Sequence, residues 1–155
     1  MKAFANRPHP GDDRIAASDP RYPDYEGHRV SAFFRGKDWR DVSLASLRDG
    51  YSGDVTATLH FMTDEGLLYY LPAFLLMALE PEAAELVETL SFVLTDPQPE
   101  SGEGSRFRAR MAGLSPEEKA AVASVLRFLA HAYDREGDPV NPARTALRSY
   151  WERAA

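Results

Sequence analysis

The stretch GLLYYLPAFLLMALE, residues 66–80, decides how this chain folds. Thirteen successive residues in it, Leu67 to Leu79, carry no charge. A membrane-spanning helix needs about 20 such residues, so the run is too short to cross a bilayer. A helix that is apolar on every side is one surrounded on every side. Thr63 or Asp64 caps its start, and Glu65 lies in the first turn, where the helix dipole favours an acid. Residues 67–79 are therefore expected to form a central helix. Pro72 has no N–H to offer the Leu68 carbonyl, so this helix is expected to kink or break between Leu68 and Phe74.

The neighbouring segments carry amphipathic patterns that would cover it. Pro81-Glu82 opens a helix with one apolar stripe, Leu86, Val87, Leu90, Val93 and Leu94, and a wet side of Glu82, Glu85 and Glu88. Residues 96–105 read as a loop by composition. At Ser115-Pro116-Glu117-Glu118 the serine caps, the proline takes the first helical position and Glu118 completes a capping box. Val122, Val125, Leu126, Leu129 and Tyr133 recur on one face of that helix, and Gly137 ends it. Asn141-Pro142 repeats the start signal, and Ala143, Leu147, Tyr150 and Trp151 line one side of a last helix, expected to pack antiparallel on the previous one. Upstream, Val30, Phe33 and Phe34 fit a helix stopped by Gly36, and Leu44 and Leu47 fit a short helix over Val42–Asp49, with Trp39 in the turn between.

Two segments are less regular. Residues 1–25 hold Pro8, Pro10, Pro20 and Pro23 and read as an irregular arm, with one helical turn over Asp12–Ser18 and Tyr22 and Tyr25 as docking handles. Residues 55–61 alternate, with Val55, Ala57, Leu59 and Phe61 on one side and Thr56, Thr58 and His60 on the other, which is a strand pattern. A strand needs a partner, and the other alternating run is 106–111. The two could pair as a small ribbon; equally, Phe107, Met111 and Leu114 fit helical spacing.

The segments YYLPAFLL, from Tyr69, and LSPEEKAAV, from Leu114, followed by Ala146-Leu147 and Tyr150-Trp151, resemble a family of small uncharacterised bacterial proteins, a domain of unknown function. The resemblance spans roughly Glu26 to Trp151 and rests on core and capping residues. It implies one domain and carries no activity. Gly66 stands where the resemblance implies alanine.

The chain has 155 residues, enough for one core, with 44% hydrophobic and 27% charged residues. Its formal net charge of −6 disfavours nucleic acid as a partner. There is no cysteine, hence no disulfide, thiolate metal site or cysteine nucleophile. The N-terminus lacks the apolar core of a signal peptide, and a cytoplasmic protein without membrane association is expected.

Specific chemistries fail one by one. His9, His28, His60 and His131 are far apart, with no helical metal pair, so no metal and no cofactor is expected. Asp134 to Asp138 spaces acids like a calcium loop, but Pro139 and Thr145 stand where glycine and glutamate are needed. Gly50-Tyr51-Ser52-Gly53 is too short for a nucleophile elbow, and Gly36-Lys37 lacks the rest of a phosphate loop. Arg106, Arg108 and Arg110, with Arg29, Arg35, Lys37 and Arg40, form either a basic patch for an acidic partner or ordinary ion pairs. The aromatics Phe33, Phe34, Tyr69, Tyr70, Trp39 and Trp151 follow core spacing, and would be partner anchors only if exposed together.

The sequence thus predicts an all-α fold: residues 26–155 as a bundle of five or six short helices around the Pro-kinked one, preceded by the arm. It favours a protein-interaction module of immunity or accessory type over an enzyme. The alternative is a small-molecule-binding protein or enzyme with a pocket at the Pro72 kink, flanked by Tyr69, Tyr70 and His60.

Overall fold

The computed structural model describes residues 1–17, 21–22, 25–97, 102–134 and 141–154. Its helices are α1 (Glu26–Phe34), α2 (Leu44–Gly50), α3 (Thr58–Phe61), α4 (Asp64–Met77), α5 (Ala84–Val93), α6 (Gly102–Met111), α7 (Pro116–Ala132) and α8 (Pro142–Ala146). A π-helical segment, Leu147–Trp151, continues α8. Among the described residues no strand is formed, and the fold is all-α.

Helix α4 is the centre. Thr63 caps it, its hydroxyl accepting from the Gly66 N–H at 3.0 Å, with Asp64 and Glu65 in the first turn. Leu67 to Leu75 are all buried, whatever face they occupy. The helix does not break at Pro72, which sits inside an unbroken Asp64–Met77 span. Neighbours packed on every side hold the turn that has lost its hydrogen bond. The apolar run reaches water only near its end, where Leu76 and Leu79 are 42% and 38% exposed.

The ribbon is not formed. Val55–Ala57 is a 3-10 turn and residues 58–61 continue into α3. Asp54 caps this turn by accepting from the Thr56 N–H, and the buried Thr58 donates its hydroxyl to the Val55 carbonyl. Residues 106–111 belong to α6, whose Gly104, Phe107 and Met111 face inward at helical spacing. The apparent alternation in both segments came from local composition, without a cross-strand partner to stabilise it.

The N-terminal residues enter the core. Phe4 and Ile15 are fully buried. Arg7 donates to both carboxylate oxygens of Glu118, at 2.8 and 2.5 Å, and to the Gly113 carbonyl at 2.8 Å. Glu118 also completes the capping box of α7, so one carboxylate starts a helix and anchors the arm. At the other end of the segment, Ala16 bridges Met62, and the Thr63 N–H donates to the Ile15 carbonyl at 3.0 Å. Tyr25 meets Phe61 edge-on at 5.2 Å, whereas Tyr22 is 62% exposed.

At the C-terminal end, α8 packs on α5 and α7. The π-helical turn lets Ala143, Ala146, Leu147 and Trp151 share the buried side. Trp151 is fully buried and donates its ring N–H to the Leu94 carbonyl at 2.7 Å. The acidic turn after Asp134, with Gly137, lies outside the described residues, as do 98–101 of the loop before α6.

Candidate functional site

Residues of α3, α5, α6 and the start of α8 line a groove of about 670 Å³. Leu59, Met62, Val93 and Phe107 supply its apolar lining. His60 and Phe92 lie at its lip, ring centroids 5.6 Å apart. Glu88 of α5, and Glu103, Arg106 and Arg110 of α6, supply its charge, and Pro142 and Thr145 contribute from the start of α8. Local chemistry explains the arrangement. The α5 stripe Leu86, Val87 and Leu90 turns inward, which leaves Glu85, Glu88 and Phe92 outward. Phe107 turns in from α6, so Arg106 must turn out.

Of the six residues singled out from the sequence, three meet here: His60, Arg106 and Arg110. His60 and Arg106 are exposed. Arg110 pairs through Nε with Asp64, at the first turn of α4. Arg108 points elsewhere and donates to the buried Asp96 carboxylate at 2.8 Å. Asp96 in turn uses its backbone N–H on the Ser149 hydroxyl at 3.0 Å, tying α6 to the π-helical segment. The arginines and lysine of α1 and its following turn do not join a patch: Arg29 pairs with Glu26, Arg40 with Asp38, and Lys37 lies over the Phe33 ring at 3.7 Å. Arg106 has no ion pair or hydrogen bond among the described residues.

Tyr69 and Tyr70 are buried away from this groove, at 3% and 0% exposure. The Tyr70 hydroxyl lies 2.8 Å from the Lys37 carbonyl and 3.0 Å from the Phe34 carbonyl. The His9 ring packs edge-on against Tyr69 at 4.8 Å. Burial pushes the Tyr70 hydroxyl well above the ordinary phenol range, and pushes Tyr69 up as well, helped by the Asp38 carboxylate. Asp38 itself is lowered: burial opposes ionisation, but the Arg40 amide and guanidinium outweigh it. Burial and the hydrogen bond to Glu26 likewise raise Tyr51. Each of these perturbed groups has a structural partner, and Pro72 is enclosed with its neighbours.

Phe92 was not singled out from the sequence. The available signal was an aromatic residue at the helical spacing of the acidic face, four residues after Glu88. It is 71% exposed, the highest exposure of any large apolar side chain described.

The helices, their capping residues and the groove walls all fall within a single matched span. The chain belongs to DUF6714, a family of unknown function, whose model matches residues 20–155. No curated protein and no solved structure matches the chain. The family match covers α1 to the end of the chain and leaves Phe4, Arg7 and Ile15 outside it. Among the described residues, no helix is long and apolar enough to cross a membrane.

Proposed function

We propose that this member of DUF6714 is a protein-interaction module and that its docking site is the groove between α5 and α6. The observation that carries the reading is Phe92, 71% exposed at the lip of an apolar groove. Large exposed aromatics beside an apolar concavity are typical anchors for a partner protein. A ligand confined to the groove would cover the lining and leave the outer face of Phe92 in water. A partner surface extending over the lip would bury both. An immunity or accessory protein works in this way, by occupying a partner rather than by converting a substrate. The perturbed tyrosines and Asp38 support the same view, because their shifts follow from structural contacts away from the groove.

The groove's volume, about 670 Å³, also suits a small molecule. The two readings separate on one pair of variants. Phe92→Glu charges the lip of the groove. Phe128→Glu charges an apolar side chain, 54% exposed, that is not among the groove's lining residues. Quantitative affinity capture from the native host should recover a stoichiometric protein with the wild type and with Phe128→Glu, and lose it with Phe92→Glu. Capture that ignores Phe92→Glu, or native mass spectrometry that finds only a small molecule leaving with this change, would refute the docking reading.

A further inference from the structure

The groove carries both halves of a contact. Its apolar lining makes a hole of about 670 Å³, and Phe92 at its lip is a knob, 71% exposed. Its free charges are of both signs. Glu88 of α5, and Glu103 and Arg106 of α6, all line it and are exposed. None of the three has an ion pair or hydrogen bond among the described residues. Arg110 is not free, being held by Asp64. A partner of a single sign would satisfy part of this set and repel the rest. A matching partner brings an aromatic side chain for the hole, an acid for Arg106 and a cation for an acid.

The groove itself has that inventory. About a two-fold axis one patch meets its own copy, so that a contact from one residue to a second is repeated from the second to the first. We infer that the groove takes a second copy of this chain, with Phe92 of each copy entering the groove of the other and Arg106 of each pairing with Glu88 of the other. This rests on the docking reading and names its partner. Helix spacing sets the pairing. Glu88 stands four residues before Phe92, and both are exposed, so they share the outward stripe of α5. Arg106 is next to Phe107, which lines the hole. Setting Phe92 of one copy over Phe107 of the other therefore brings Glu88 to Arg106, and the axis repeats the contact. Glu103 is left at the rim, in water. The net charge of −6 opposes self-association, but at physiological salt charges more than about 8 Å apart are largely screened, and the paired groups are in contact.

The test is sedimentation equilibrium on the full chain at physiological salt. Loading at about 1–100 µM spans the weak end of standard protein interfaces. The wild type and Phe128→Glu should dimerise alike. Phe92→Glu should weaken the dimer at least about tenfold, since one change removes two anchors. Arg106→Glu and Glu88→Arg should each weaken it, and the two changes together on one chain should restore it, because each pair meets again with its signs exchanged. All three side chains are exposed, so every variant should keep the wild-type circular dichroism. A dimer indifferent to Phe92→Glu, or one that the double change fails to restore, would overturn the inference. So would a wild type still monomeric at about 100 µM. The docking reading then stands if capture from the native host recovers a different protein with the wild type and loses it with Phe92→Glu, and falls with the inference if it does not.

Discussion

Gly66→Ala sets two effects of opposite sign against each other, and the structure decides between them. Alanine in place of glycine inside a helix is favourable by about 1 kcal/mol. A Cβ at Gly66, however, would lie 2.0 Å from the Ile15 carbonyl oxygen and 2.8 Å from its carbon. Both are backbone atoms, so the arm must withdraw by more than an ångström. Withdrawal would cost the Thr63 N–H bond to the Ile15 carbonyl and the Ala17 N–H bond to the Phe61 carbonyl, each now 3.0 Å long. At about 1 kcal/mol per bond that is roughly 2 kcal/mol. Ile15 is fully buried, and partial exposure adds a fraction of the about 1.5–3 kcal/mol that full exposure would cost. The net change is a loss of about 1–3 kcal/mol after the helical gain is subtracted. In urea unfolding the midpoint should fall, with thermal unfolding about 2–12 °C lower. Gly102→Ala is the control, since a Cβ there meets nothing within 4 Å. A Gly66→Ala protein as stable as the wild type would refute the argument that the arm's approach requires glycine.

Three further outcomes follow from buried contacts. Trp151→Ala removes a fully buried ring and leaves the Leu94 carbonyl without its donor. It should cost at least about 3–5 kcal/mol in denaturant unfolding, and Trp151→Phe less. Tyr51 and Tyr70 hold their protons more tightly in the fold than in the unfolded chain, Tyr51 through burial and Glu26 and Tyr70 chiefly through burial. The native state therefore binds more protons once the unfolded phenols ionise, so stability is complete below about pH 10 and falls above it. Urea titrations across that range should show the fall, and a Tyr51→Phe, Tyr70→Phe double variant should show a shallower one. Arg7→Ala releases Glu118 from the arm and should raise amide exchange over residues 1–17 before any global unfolding is detected.

Capping and periodicity made most of the fold legible. The Ser115 capping box, the Thr63 cap, the Asn141-Pro142 start and the apolar stripe of α5 lie where local chemistry places them. The α4 run fixed its own centrality, because no helix with so few polar atoms can face water. What stayed illegible depended on distant contacts. Gly66 stands in place of the alanine that the resemblance implied because the Ile15 backbone lies against it, a neighbour 51 residues away that no helical pattern reports. Pro72 fails to break α4 for a related reason: surrounding side chains hold a turn that an isolated peptide would lose. The groove was half legible. His60 and the arginines drew notice as chemistry, while Tyr69 and Tyr70, three and two residues before the proline, are enclosed by Phe34, Lys37 and the His9 ring.

The three arginines of α6 show how the secondary structure decides the site. As a strand, Arg106, Arg108 and Arg110 would share one face, because side chains repeat every second residue. As a helix, Arg108 is turned about 200° from Arg106, while Arg110 returns to within about 40° of it. The structure has the helical arrangement: Arg106 and Arg110 line the groove, and Arg108 reaches back to Asp96, whose side chain is 3% exposed. The same rotation that removes the ribbon separates a structural arginine from two that face the groove. Arg108→Ala and Arg106→Ala should therefore differ in kind. The first leaves a buried carboxylate without its cation and should cost about 3 kcal/mol of stability. The second should leave unfolding within about 0.5 kcal/mol of the wild type. Equal stability losses from the two changes, measured in the same urea series, would mean that α6 does not divide its arginines in this way.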